Sequence, residues 1–294
     1  MRVLDRVRLY GRVVELFGIR QLPLDHDPTL PQPDLVVERV RVLPPGLIEV
    51  DLPGAIRVGF AKGFAAVVIP AAIGPLEVEH IVIDHVVPMG LSMSGDLLVH
   101  AAGLASGSRG LLLCGESGAG KSTTSAFFAA SGWRPLGDDA IRLELDGPQV
   151  RMWPSYEGFR LHQDTLGSVL TGIEATGDVA EASLKRRALG IGTYSSDSAL
   201  LTSLLVLGPA SDEVMIRALG PAQRAAVIAR SAFHPGRSAL QAAESLDQAG
   251  AIAERLDGWT LEYQRTRASL HELFELFGSG SPQLGPATPR GDAG

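Results

Sequence analysis

The segment Leu111-Leu-Leu-Cys-Gly-Glu-Ser-Gly-Ala-Gly-Lys-Ser-Thr-Thr124 joins an apolar run to a stretch of small, helix-compatible residues through a loop. Within it, Gly115, Gly120, Lys121 and Ser122 fit the pattern G-x-x-x-x-G-K-[ST] without a mismatch. Glycines let successive backbone N–H groups curl inward around a phosphate. A helix starting at the lysine adds its unpaired amides and the positive end of its dipole to the same anion. Lys121 is then placed to reach the β- and γ-phosphates of ATP, and the Ser122 hydroxyl to ligate Mg²⁺. The expected nucleotide-binding set is Gly115, Glu116, Ser117, Gly118, Ala119, Gly120, Lys121, Ser122 and Thr123. A chance Gly-rich turn has a similar composition, but here strand, loop and helix follow one another in the order that phosphate binding requires.

A phosphate loop does not say what becomes of the phosphate. Asp138-Asp139, about 17 residues after Lys121, supplies the groups that would. A carboxylate there can ligate Mg²⁺, which pairs Asp139 with Ser122 as metal ligands, or act as base towards an incoming hydroxyl. Adjacent carboxylates on extended backbone point to opposite sides, so one of the two is expected to face the reacting atoms. The plainer reading is a turn that uses aspartates for local hydrogen bonds. His100, at the end of an apolar run before Ala101-Ala-Gly103, is either structural or lines the site. Lys185-Arg186-Arg187 either closes over the γ-phosphate or grips an acidic acceptor, unless it is simply a solvated stretch. Arg160 is a weaker candidate of the same kind.

These residues need elements to hold them. Residues 1–20 fit neither the strand nor the helix period cleanly. Residues 21–34 carry Pro23, Pro28, Pro31 and Pro33 and read as a loop. Strands are expected over 35–42, 48–52, 56–60 and 65–69, which makes the first 90 or so residues mostly β with no chemical constellation of their own. Further on, strands are expected over 111–114, 140–145, 150–153, 200–207, 214–219 and 259–265, with a hairpin at Asp146-Gly147. Helices are expected over 121–131, 221–233, 240–256 and 270–277, the second with proline at its first position. Residues 174–187 read as a mobile loop, and the Gly-, Ser-, Pro- and Ala-rich end as disordered. The fold class is α/β, with the phosphate loop at the C-terminal end of a sheet strand. The division is a β-rich region over 1–94, a phosphate-loop kinase domain over 95–277 and a tail over 278–294.

Composition narrows the classes. The chain has 294 residues, 45% of them hydrophobic, which suffices for a substantial core. A net charge of −7 argues against a broad basic face for nucleic acid. No apolar stretch reaches the length of a membrane span, and the N-terminus lacks the hydrophobic region of a secretory signal. The one cysteine, Cys114, excludes an intrachain disulfide framework and reads as a buried small hydrophobe. A cytoplasmic protein without membrane or nucleic-acid partners is expected.

Three segments carry a family resemblance: His100-Ala-Ala-Gly103, Gly115-Glu-Ser-Gly-Ala-Gly-Lys-Ser122 and Gly137-Asp-Asp-Ala-Ile-Arg-Leu143. Together they resemble the catalytic domain of the HPr kinase/phosphorylase family, which is related to the phosphoenolpyruvate carboxykinases. The resemblance spans roughly residues 95–277. It implies Mg-ATP-dependent phosphorylation of a serine hydroxyl in a protein or peptide. In that reading Lys121 holds the phosphates, Ser122 the metal, Asp138 or Asp139 is the base, and His100 tunes the aspartate. It also implies homo-oligomers, which are hexamers in the regulatory enzymes. Thr123 stands where those enzymes carry Glu, and Arg187-Ala-Leu-Gly-Ile191 only echoes their Arg-Gly-x-Gly-Ile signature, with Lys185 in place of its acidic residue. The chain therefore reads as a divergent relative with an acceptor of its own. Some such relatives phosphorylate small peptides, lasso peptides among them. A small-molecule kinase on the same fold and a nucleotide-binding regulatory protein without turnover stay open beside it.

Overall fold

The computed structural model describes residues 5–19, 27, 29–162, 165, 170, 185–188, 190–234 and 239–278. The expected tail from 279 onward and most of the expected loop over 174–187 lie outside the described residues.

The chain opens with a hairpin of β1 (Asp5–Leu9) and β2 (Arg12–Phe17), which settles the ambiguous first twenty residues as strands. Its two-residue turn, Tyr10-Gly11, has φ of 56° and 69°, the left-handed pair that matches strand twist in a tight hairpin. Then come β3 (Leu35–Arg39), β4 (Ile48–Leu52), β5 (Ile56–Ala61) and β6 (Phe64–Val68). These six strands form one mixed sheet in the order β1-β2-β3-β6-β5-β4.

The next segment departs from the mostly-β expectation. Residues 75–92 are a helical rod: α1 (Pro75–Ile81), a π turn (Val82–Val86) and α2 (Val87–Ser92). Its β-branched residues, Val78, Ile81, Val82, Ile83, Val86 and Val87, are all buried against the first sheet, and a run so rich in β-branched residues imitates a strand. Pro75 begins it, as proline does at a first helical position. Pro88 has no N–H to offer the carbonyl four residues back, and the widened π turn lies immediately before α2.

Beyond the rod lie β7 (Leu97–Val99), β8 (Ala102–Ser106), β9 (Arg109–Gly115), α3 (Lys121–Ala130), β10 (Arg134–Gly137), β11 (Ile141–Asp146) and β12 (Gln149–Trp153). The hairpin at Asp146-Gly147 forms as expected, with Asp146 opposite Gln149. Next are β13 (Phe159–His162), β14 (Lys185–Ala188), β15 (Ala199–Leu200), β16 (Ser203–Leu207) and β17 (Met215–Ala218). The chain closes with α4 (Pro221–Ser231), α5 (Ala239–Ala253), β18 (Asp257–Glu262) and α6 (Arg267–Gly278).

The expected single strand over 200–207 is two strands in different sheets. β15 pairs with β12, and β16 pairs with β9 after a break at Leu201-Thr202. Residues 185–187, expected in a loop, belong to β14, which pairs antiparallel with β13.

The second six-stranded sheet, β10-β8-β9-β16-β18-β17, carries the glycine-bearing loop that follows β9. β9, β16 and β18 run parallel at its centre, and α3 follows β9. One face packs on α3 and α6 through Phe127, Phe128, Leu273 and Phe277, the other on α4 and α5 through Val227, Ile228, Ile252 and Ala253. The central strand β9 is buried on both faces, which is why it reads as an unbroken apolar run. The architecture is mixed α/β.

The first core does not stop at residue 94. Leu98, Ala140 and Tyr156 belong to it, together with the hairpin and the rod. Tyr10 fastens the parts: its N–H donates to Pro154 O at 2.8 Å and its hydroxyl to Ile83 O at 3.1 Å. The Arg142 guanidinium donates to Tyr10 O at 2.7 Å and pairs with Asp96 at 3.1 Å. These bonds set the rod against the second half of the chain. Among the described residues, no helix is long and apolar enough to cross a membrane.

Candidate functional site

The loop between β9 and α3 lies at the C-terminal ends of parallel strands, with Gly115 in register with Leu207 of β16. Gly115, Gly118 and Gly120 all have positive φ, at 151°, 82° and 90°. A Cβ at Gly115 would stand 2.8 Å from Leu207 O, so the neighbouring strand leaves no room for a side chain. Gly120 precedes α3 and brings no side-chain cap, which leaves the first amides of the helix for an anion. Lys121 is buried and folds back over the loop, its Nζ donating to Gly115 O at 2.9 Å and Glu116 O at 3.2 Å. Thr124 anchors the first turn through a 2.6 Å contact with the Tyr263 hydroxyl. The Arg265 guanidinium lies 4.2 Å over the Tyr263 ring and donates to Gly208 O at 2.6 Å.

Two cavities meet at this loop. The larger, about 1070 Å³, lies between Gly115–Ala119, Val206–Ala210 and the end of α4 from Val227 to Phe233. The smaller, about 400 Å³, is lined by Lys121, Ser122 and Thr123 and by Asp139, Arg160 and His162. Ser117, Gly118 and His100 line both. His100 is held there by its N–H, which donates to Ser231 O at 2.6 Å, and its ring meets Phe233 edge-on at 6.3 Å.

The two aspartates divide as their adjacency requires. Asp138 is fully buried, and its carboxylate accepts the backbone N–H of Arg160 at 2.8 Å. Asp139 lines the smaller cavity and stands 3.9 Å from Arg160 Nε. The structure thus brings Lys121, Ser122, Thr123, Asp139 and His100 to one cavity and leaves Asp138 behind its wall. Glu116 and Ala119 line the larger cavity instead.

The third wall comes from the rod. His80, Asp84 and His85 all line the smaller cavity, although no sequence pattern marked them. Asp84 is buried, with Oδ2 2.7 Å from His80 Nδ1 and 2.9 Å from Arg160 Nη2. Arg160 Nε donates to the Tyr156 hydroxyl at 3.0 Å. Burial pushes the Asp84 carboxyl up, but the Arg160 charge and the His80 hydrogen bond outweigh it and leave the group below its ordinary range. Burial also opposes the Arg160 charge, and Tyr156, Asp84 and Asp139 outweigh it, so the guanidinium is held more firmly protonated than usual. Burial, aided by His80, pushes His85 down. Outside the cavity wall, burial pushes the Cys114 thiol up to about 11, which suits a packing residue and not a nucleophile.

The only sequence signal for the rod's contribution is the spacing of His80 and Asp84, four apart, which pairs them if the segment is helical. Arg160, rated a weak candidate from sequence, sits at the centre of the wall. The side chains of 185–187, the other basic candidate, lie outside the described residues. Among the described residues no group of three or more His, Cys, Asp or Glu is arranged to hold a metal ion by itself. Ser122 and Asp139 facing one cavity fit a metal that takes its remaining ligands from phosphate and water.

No protein-family model matches the chain, and no curated protein matches it. Among solved structures it is similar to the HPr(Ser) kinase/phosphatase from Coxiella burnetii, with 14% identity and a TM-score of 0.33 over 62% of this chain and 99% of that one.

Proposed function

We propose that this protein is a kinase that transfers the γ-phosphate of ATP to a serine hydroxyl of a protein or peptide. The observation that carries the reading is that Lys121 and Ser122 line one cavity of about 400 Å³ together with Asp139 and Arg160. Phosphoryl transfer is mostly positioning and charge stabilisation, and these are the groups it uses. The larger cavity takes the nucleoside, and the loop between the two takes the phosphate chain. Lys121 exchanges its bonds to Gly115 O and Glu116 O for phosphate oxygens, which are stronger, charge-assisted acceptors. Asp139 accepts the proton of the attacking hydroxyl as its oxygen bonds to the γ-phosphorus and the bond to the β-phosphate oxygen breaks, releasing ADP. Arg160 stabilises the charge on the transferred group. Mg²⁺, when held by Ser122 and Asp139, supplies neutralisation of the phosphate charge. The two oxygens of Asp139 allow one carboxylate to serve both a metal and a hydroxyl.

The choice of serine, and of a protein or peptide, rests on the resemblance of the His100, Gly115–Ser122 and Gly137–Leu143 segments to the HPr kinase family. A pure nucleotide binder has no use for a carboxylate opposite the lysine, which sets the regulatory reading second.

Purified protein, γ-labelled ATP and serine-containing peptides test the proposal. Wild-type protein should bind MgATP and label a peptide, and Lys121→Ala should weaken MgATP binding by at least about tenfold, the loss of one or two charge-assisted hydrogen bonds. Unchanged affinity in Lys121→Ala would overturn the loop assignment. Binding without transfer to peptide, small hydroxylic compound or water would favour the regulatory reading.

A further inference from the structure

We infer that Asp84, on the helical rod ahead of the phosphate-loop segment, is the residue that positions Arg160 in the transfer site. The inference rests on the phosphoryl-transfer reading of the smaller cavity. It also makes the N-terminal part of the chain a component of that site.

The local geometry of the rod comes first. On an α-helix, residues four apart share a face, and residues five apart do not. A π turn closes its bonds over five residues, and such turns recur at functional sites. The turn at Val82–Val86 brings both Asp84 and His85 beside His80: Asp84 Oδ2 is 2.7 Å from His80 Nδ1, and the two imidazole centroids are 5.3 Å apart. All three then face the same cavity. The Tyr10 hydroxyl, bonded to Ile83 O, fixes the backbone one residue before Asp84.

Next comes the carboxylate itself. A buried carboxylate costs more than a packed apolar residue unless it is well paired. Asp84 is 2% exposed, and its Oδ2 is shared between His80 and the Arg160 guanidinium. Arg160 is therefore held along its length: Nε by the Tyr156 hydroxyl at 3.0 Å and Nη2 by Asp84 at 2.9 Å. Its backbone is held by Asp138 at 2.8 Å. Among the described residues, a second carboxylate within reach is Asp139, at 3.9 Å from Nε. Without Asp84, the guanidinium turns to Asp139, the group needed for the hydroxyl proton and the metal. Asp84 thus does two things through Arg160: it fixes the cation at the phosphate loop, and it keeps that cation off the base.

The test is ADP release from MgATP, with water and with a pool of serine-containing peptides as acceptors. Asp84→Asn should lower kcat at least tenfold, and by a clearly larger factor than it raises the KM for MgATP, because Lys121 and the loop amides still hold the phosphate chain. Asp84→Glu, which restores the charge, should recover part of kcat. In an Arg160→Lys background, Asp84→Asn should have little further effect on kcat, whereas a merely structural role would lower it again. Should Asp84→Asn not fold, Tyr156→Phe removes the other anchor of Arg160 and should lower kcat in the same selective way. Wild-type turnover in Asp84→Asn, or additive losses in the double variant, would overturn the inference and leave the kinase reading standing. A wild-type protein that releases no ADP with either acceptor would overturn both.

Discussion

The Asp138 carboxylate accepts the backbone N–H of Arg160 at 2.8 Å, so the aspartate that sequence makes equivalent to its neighbour is an anchor for β13. Asp139, one residue on, is the carboxylate that faces the phosphate loop. Just before the pair, Gly137 packs where a Cβ would stand 2.3 Å from Ser155 Oγ. Two substitutions should therefore part company. Asp139→Asn should cut phosphate transfer by at least about a hundredfold, the usual worth of a positioned base, with little change in melting temperature. Asp138→Ala should strand the Arg160 N–H in a buried site and cost about 1–3 kcal/mol of stability. Initial rates and thermal melts of both variants check this; a stable, fully active Asp139→Asn protein would remove Asp139 from the chemistry.

The strand, glycine-bearing loop and helix between Arg109 and Ala130 were legible because their constraints are local. Glycines at fixed offsets, a lysine and a hydroxyl must lie within one turn of each other in sequence as in space. The Asp146-Gly147 hairpin was legible for the same reason. The rod was not. Its buried valines and isoleucines are β-branched, the residue types enriched in strands, and the π turn shifts the spacing of the polar His80, Asp84 and His85 from the helical one. Nor could sequence separate Asp138 from Asp139, because the choice depends on Arg160, 22 positions on from Asp138, and on Asp84, which lies 76 positions before Arg160. The break at Leu201-Thr202 was hidden by apolar residues on both sides of it, each buried in a different sheet contact.

Tyr10 carries a second prediction. It is fully buried in a left-handed turn conformation that side chains other than glycine adopt only at a cost, and three elements meet on it. Tyr10→Phe keeps the ring and removes the donor to Ile83 O, leaving a buried carbonyl short of its partner, and should cost about 1–2 kcal/mol. Tyr10→Ala empties the site and should cost about 3–5 kcal/mol, the range for deleting a buried aromatic side chain. Denaturant titration measures both. Because Ile83 precedes Asp84, the Phe variant should also lower turnover; a Phe variant as stable and as active as wild type would show that the hairpin does not hold the rod.

The last prediction concerns acid. Burial and His80 lower the His85 pKa in the folded state, opposed by Asp84 and Asp139 and reinforced by His100. A histidine with a depressed folded pKa takes up its proton more readily when unfolded. Above the ordinary value of 6.5 both states are neutral and nothing is lost. As pH falls below that value the unfolded chain gains protons first, and stability declines until the folded ring titrates as well. Asp84 acts lower down: its depressed pKa gives stability above the ordinary carboxylate value, and this is lost as pH falls through the folded one. The His85 decline begins at the higher pH, because unperturbed carboxylates titrate near pH 4. Wild-type melting temperature should therefore begin to drop as pH falls below about 6.5, and His85→Gln should flatten that first decline. Parallel curves for the two proteins across that first decline would mean that His85 titrates alike in the folded and unfolded chains, and that the rod does not bury it against the site.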